Sequence, residues 1–286
     1  MSELKEKMKM DMELRGFSPN TVKAYLTQVR NYAQYYNLSP ELMGEKEIRG
    51  YLYYCSTEKR FSESHLNIIY SSLKFLYLKT LQREWNIDAI PRRKRIEKLP
   101  VILSREEISA LFTVTTNLKH KAILMTIYGG GLRVSEAARL KIIDIDSKNM
   151  QILIHQGKGK KDRYTLLSKQ NLSVLRTYYK RYNPSTWLFC GATGDKHITE
   201  RSIQRIFQEA KIKAGIKKNV SVHNLRHCFA THLLEQGTDL CYIQELMGHA
   251  SIGTTMIYLH LRKLDVLNVA SPLDRLEDQR EDGTEE

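Results

Sequence analysis

Three segments place polar side chains where packing alone would not ask for them: GGGLRVSEAARL with Arg133, HQGKGKKDRYTLL with Lys158, and VHNLRHCFATHLLEQGTDLCYIQELMGHASIGTTMIYLH with His223, Arg226, His249 and Tyr258. Arg133 follows three glycines, which let a phosphate approach backbone N–H groups, although by itself it also reads as a surface cation. Lys158 stands in a Gly-Lys-Gly turn, a place where a solvated hairpin tip is equally at home. His223 and Arg226 are three residues apart and so share a helix face, a neighbourhood that His227 and Thr231 extend. His249 follows Gly248 at an expected helix end, and Tyr258 falls nine residues later. Singly, a structural histidine and a core aromatic would account for these two. Jointly, the set suits anion binding and proton transfer.

Other chemistries lack their signatures. His223 and His227 have the i, i+4 spacing of metal ligands, but Asn224 stands where HExxH needs its glutamate. Cys55, Cys190, Cys228 and Cys241 are scattered without a CxxC pair, so no thiolate knuckle or disulfide framework is suggested. Neither GxxxxGK[ST] nor GxGxxG occurs, so ATP is not implied. The chain has 286 residues, enough for two domains with real cores, and 45 Lys plus Arg against 32 Asp plus Glu give it a net charge of +13. The segment 274–286 is acidic and carries −5, so the body before it holds +18. That excess makes a polyanion the natural partner. The first residues alternate charge with Met and Leu and do not resemble a signal peptide, and no segment approaches the ~18 apolar residues of a membrane span. A cytoplasmic protein with no membrane attachment is expected.

The elements that must position these residues are mostly helical. In FSPNTVKAYLTQVRNYAQYY, Ser18 caps a helix with Pro19 at its first position, and Val22, Leu26, Val29, Ala33 and Tyr36 recur at steps of three and four. Helices over 45–56 and 62–79 follow, the latter with the stripe Leu66, Ile69, Leu73 and Leu76. Their outer Lys23, Arg30, Lys74 and Lys79 are either ordinary solvated cations or a grip on nucleic acid. Pro91 and Pro100 bracket Arg92, Arg93, Lys94, Arg95 and Lys98, an extended basic linker that also resembles a localisation signal but more simply lies along phosphates. Ser104 and Glu107 form a capping-box signature. Helices are expected over 105–112, 120–128, 132–140, 170–181, 200–214, 222–235, 239–247 and 253–267, with a break at Gly129–Gly131 and a hairpin over 150–167 around GKGKK. The expected fold is mainly α with a small antiparallel β-sheet. It has two domains: a helical bundle over 1–90 and, after a linker over 91–101, an α+β domain over 102–273 with an acidic tail over 274–286.

In order and at compatible spacings, the three segments resemble the signature boxes of the tyrosine recombinase (phage integrase, Xer-like) family. The match runs from about Leu103 to the Tyr258 helix, and the RGFSPNTVKAYL entry resembles the family's SAM-like core-binding domain. The resemblance implies a C-terminal catalytic domain of tyrosine recombinase type, with the catalytic set on Arg133, Lys158, His223, Arg226, His249 and Tyr258. It places Glu136 on the face of Arg133, orienting the guanidinium; from their charge, Arg92, Arg93, Lys94, Arg95, Lys160 and Lys161 are expected to bind DNA. Departures are Cys228 for a small hydroxyl residue, Met247 for Leu and Met256 for a polar residue. The implied roles are Tyr258 as nucleophile, His223 as base and Lys158 as acid, with the two arginines and His249 on the phosphate oxygens. No cofactor is implied, neither metal nor ATP. The implied partners are double-stranded DNA recombination sites and, as a homo-oligomer on DNA, three further copies that form a tetramer. The implied activity is site-specific recombination that integrates, excises or resolves DNA through a 3′-phosphotyrosine. Type IB topoisomerase-like activity, or a noncatalytic DNA-binding regulator on the same fold, are the alternatives.

Overall fold

The structure, a computed structural model, describes residues 2–85, 90, 92, 99–155, 162–192, 194–249 and 251–259. The chain divides into two compact units, Met1–Glu97 and Lys98–Glu286, and each has its own apolar core.

The first unit is all helix among its described residues. Helix α1 (Ser2–Leu14) buries Leu4, Met8 and Met12, a stripe at i, i+4 and i+8. Helix α2 (Pro19–Tyr36) starts where Ser18 accepts a hydrogen bond from the Thr21 N–H and Pro19 takes the first turn. Helices α3 (Glu45–Thr57) and α4 (Glu63–Phe75) follow, and the chain continues from α4 into a π-helical turn over Leu76–Thr80. The helix expected over 62–79 therefore changes its winding after Phe75. Val29, Tyr32, Ile48, Tyr51, Ile69, Leu73 and Tyr77 close the core.

In the second unit, α5 (Arg105–Val114) opens with the Ser104–Glu107 capping box. Helix α6 (Leu118–Gly130) is buried nearly all round, through Ala122, Ile123, Leu124, Thr126 and Ile127, as a central helix must be. The break expected at three glycines falls later: Gly129 and Gly130 stay helical, and Gly131 alone adopts φ +61 as the C-cap. A Cβ there would lie 2.3 Å from Phe229, so only glycine permits both the turn and the packing. The helix expected over 132–140 shrinks to α7 (Val134–Ala138), because Leu132 and Arg133 are spent on leaving α6 and capping α7. Strands β1 (Ile145–Asp146), β2 (Gln151–Ile154) and β3 (Arg163–Leu166) form an antiparallel sheet in that order, with Ile152 opposite Thr165. The remaining helices are α8 (Lys169–Tyr182), α9 (Glu200–Lys213), α10 (His223–Glu235), α11 (Leu240–Met247) and the short α12 (Gly253–Met256). The last is a single turn where a helix over 253–267 was expected, and residues from 260 onward lie outside the described residues. No helix among the described residues is long and apolar enough to cross a membrane.

Candidate active site

The C-termini of two helices create the pocket. The last carbonyls of a helix have no partner within it and carry its negative end, so they attract cations. At the end of α11, three consecutive carbonyls each accept from a different arginine. Leu246 O accepts from Arg163 Nε at 2.9 Å, Met247 O from Arg226 Nη2, and Gly248 O from Arg133 Nη2 at 3.4 Å. Arg226 also donates through Nη1 to Gly131 O, at 2.5 Å, on the end of α6. Gly248 adopts φ +61, and a Cβ on it would stand 2.7 Å from the Arg163 side chain, so the turn that ends α11 is also what admits this arginine.

One carboxylate joins the three cations. Glu136 sits on α7 and takes Arg133 Nη1 at 2.6 Å and the Arg133 backbone N–H at 2.7 Å. Both of its oxygens face the Arg163 fork, at 2.9 and 2.8 Å, and Arg226 Nη1 lies 3.7 Å away. Burial pushes the Glu136 carboxyl up, but the hydrogen bonds and charge of Arg163, the Arg133 N–H and the Arg226 charge outweigh it and hold the group at about 2. Arg226 is only 1% exposed. Its burial, and next the Arg133 charge, lower it to about 9, which leaves it protonated at neutral pH. Three guanidiniums share a single carboxylate, so the cluster carries surplus positive charge in a partly dry site. An anion is what such a site lacks.

Tyr258 closes the pocket. It follows α12, is 1% exposed, and packs in a small cluster with Phe229, Leu234, Ile243 and Met247. Its hydroxyl lies 2.9 Å from His227 Nδ1. His223 and His227 meet edge to face at 4.8 Å between ring centroids, and the His249 ring lies nearly parallel to Tyr258 at 6.4 Å. His249 Nδ1 lies 2.9 Å from the hydroxyl of the buried Thr255. Burial raises Tyr258 to about 12, although Arg226 and Arg133 pull it down. Burial, then His223 and Arg226, lowers His227 to about 4; burial, then Arg226 and Arg133, lowers His249 to about 3. Both rings are therefore neutral at physiological pH, able to accept a proton at one nitrogen and donate from the other. His223 is solvent-exposed at the first residue of α10, yet desolvation by its surroundings and the charges of Arg226 and Arg133 lower it too.

Arg133, His223, Arg226, His249, Tyr258 and Glu136 thus gather around one pocket. It opens onto a groove of about 930 Å³ lined by Arg133, His223 and, from α9, Arg201, Gln204 and Arg205. Lys158, Lys160, Lys161, Arg93, Lys94 and Arg95 lie outside the described residues. Arg92 is exposed and donates through Nε to Asn67 Oδ1 at 3.3 Å. The partner of the phenol differs from expectation. His223 starts α10 at its open end, whereas the cluster around Phe229 seats Tyr258 one turn deeper, against His227. Sequence reasoning noted His227 only as a neighbour and missed Arg163 altogether. Strand alternation held the signal for the second: Arg163, Thr165 and Leu167 share one face, and the last two are buried, so a charge stands on the inward side of a strand. Cys228 is buried, and its Sγ accepts from the Leu103 N–H at 3.2 Å.

Comparison with known proteins bears on the same residues. Residues 102–264 match the Phage integrase family, and residues 4–87 match its N-terminal SAM-like domain. The chain is 40% identical over 277 residues to y4qK of Sinorhizobium fredii, an integrase/recombinase by name, covering 96% of this chain and 90% of that protein. It is 33% identical over 269 residues to tyrosine recombinase XerD of Oceanobacillus iheyensis, covering 87% of this chain and 90% of that one. Among solved structures, the XerH site-specific recombinase bound to palindromic difH substrate in a post-cleavage complex matches with a TM-score of 0.71 at 22% identity, over 93% of this chain and 83% of that chain, a likeness of fold.

Proposed function

Because this chain belongs to the phage integrase family of tyrosine recombinases, we propose that its pocket performs site-specific DNA recombination, with Tyr258 as the nucleophile. The observation that carries the reading is the buried Tyr258 hydroxyl, bonded to a neutral imidazole beside a cluster of guanidiniums with surplus positive charge.

A phosphodiester resists attack because its oxygens are anionic and the five-coordinate transition state gains charge. Arg133 and Arg226 offer planar paired donors to the nonbridging oxygens, and His249 offers a further N–H. Tyr258 Oη attacks phosphorus while its proton passes to His227 Nδ1, which is already in contact. The P–O5′ bond breaks, and the departing 5′ oxygen takes a proton from Lys158. The products are a 3′-phosphotyrosine and a free 5′ hydroxyl. In the second step a 5′ hydroxyl from the other duplex attacks phosphorus, the P–O bond to Tyr258 breaks, and the phenol recovers its proton. The phosphotyrosine conserves the bond energy, so neither ATP nor a metal takes part. In this reading His223, which lines the groove, serves the phosphate and not the phenol, whose hydroxyl meets His227.

The basic residues Arg92, Arg93, Lys94, Arg95, Lys160 and Lys161 contribute salt-dependent phosphate affinity. The active species is a tetramer of this chain on two duplex sites in the cytoplasm. A nicked suicide duplex built from inverted repeats flanking the gene tests the reading: the protein should become covalently attached to the 3′ phosphate and exchange strands between paired sites. Relaxation of any supercoiled plasmid without such exchange would assign it instead to topoisomerase-like chemistry. DNA binding with no adduct would make it a regulator.

A further inference from the structure

Arg163 has no part in the mechanism above, yet its side chain makes three hydrogen bonds, against two for the side chain of either arginine assigned to the phosphate. Its fork takes both oxygens of Glu136, at 2.9 and 2.8 Å, and its Nε caps Leu246 O at 2.9 Å. The side chain is 8% exposed, so it is shielded from a phosphate in the groove. It connects two elements that position reacting groups. Through Glu136 it reaches Arg133, which shares that carboxylate at 2.6 Å, and through Leu246 it holds the last turn of α11, whose next carbonyls seat Arg226 and Arg133. His249 follows directly, so its backbone is set by the same turn. Gly248 lacks the Cβ that would expel Arg163 from this place.

We propose that Arg163 is a positioning residue for DNA cleavage: its fork fixes the Glu136 carboxylate and the end of α11 so that Arg133, Arg226 and His249 converge on one phosphate. This rests on the recombinase reading. Without Arg163, Glu136 keeps, among the described residues, only Arg133 at hydrogen-bonding distance, with Arg226 at 3.7 Å, and the carboxylate is free to draw Arg133 away from the groove. The charged groups facing Glu136 are Arg133 before α7, Arg163 on β3 and Arg226 on α10, with His223 farther out. Removing Arg163 deletes the largest of the influences that oppose burial, so the carboxyl rises towards the range in which it takes up a proton.

The test uses the full chain, a nicked suicide duplex, and the variants Arg163→Met and Arg163→Lys. Arg163→Met should form the covalent adduct about 100-fold more slowly, the cost of misplacing catalytic groups by about 1 Å. Its affinity for the duplex should stay within about threefold of wild type, since a buried side chain releases no counterions. Its rate should also fall as pH is lowered from 7 to 5, a limb the wild type lacks because Glu136 stays ionised there. Arg163→Lys should restore the flat profile by restoring charge but not the full rate, because an ammonium cannot reproduce the fork. It also carries the test if the methionine variant does not fold. An Arg163→Met adduct rate within about threefold of wild type would overturn the proposal. So would a slower rate with an unchanged pH profile, which would make Arg163 merely structural, or full activity in Arg163→Lys. If the wild type itself forms no adduct, the recombinase reading falls, a result distinct from a reactive wild type with indifferent variants.

Discussion

Tyr32 and Tyr258 are both buried phenols, 0% and 1% exposed, and burial raises the pKa of each. In the helical N-terminal unit, the Tyr32 hydroxyl meets the Tyr77 hydroxyl at 3.3 Å, and Tyr77 in turn donates to Pro40 O at 2.9 Å. Its ring packs against Tyr36 and Tyr51, and among the described residues no guanidinium opposes the burial that lifts it. In the C-terminal unit, Tyr258 has the same burial but meets an imidazole, and Arg226 and Arg133 hold it back to about 12. Burial by itself makes a tyrosine inert. In the proposed mechanism, a neutral proton acceptor and positive charge are what let the same side chain act as a nucleophile.

The sharpest break in that comparison is Tyr258→Phe, which should bind the core site yet form no SDS-resistant adduct at any time point, because the attacking oxygen is gone. An adduct persisting in this variant would move the nucleophile elsewhere. Arg226→Gln should lower the rate of adduct formation by about 100- to 1000-fold, the loss expected for a donor that stabilises a transition-state oxyanion. A rate equal to wild type in single-turnover cleavage would remove it from the phosphate. His227→Ala should cost about 100-fold at pH 7. The wild-type acceptor is unprotonated above about 4, so it does not titrate between pH 6 and 9. The variant must lose the phenolic proton to solvent, and its rate should rise about tenfold per pH unit towards the range of Tyr258. Equal slopes in the two pH profiles would return the role of base to His223. The smallest effect belongs to the other phenol. Tyr32→Phe should cost about 1 kcal/mol in urea unfolding, the worth of one neutral hydrogen bond, and leave the adduct rate untouched.

Helix positions were largely legible because their signals are local. Ser18 with Pro19, and Ser104 with Glu107, announced their helices, and the alternation around GKGKK announced a hairpin. Where the expectation failed, tertiary packing had intervened. Phe229 pressed against Gly131 sets where α6 ends, and the short α7 exists to present Arg133 and Glu136. The candidate residues were legible as types at given spacings, but their pairings were not. By residue type Arg163 is one more cation in a basic hairpin; the strand turns it inward onto Glu136, 27 positions away.

By itself, the order of residues determined the fold class, the helical elements and which side chains have the chemistry for a phosphodiester, because capping, periodicity and residue type act over a few positions. Tertiary structure alone decided that Tyr258 rests on His227 and not His223, and that three arginines share one carboxylate and three successive carbonyls. Those choices depend on where distant helix ends meet, and only the packed core specifies that.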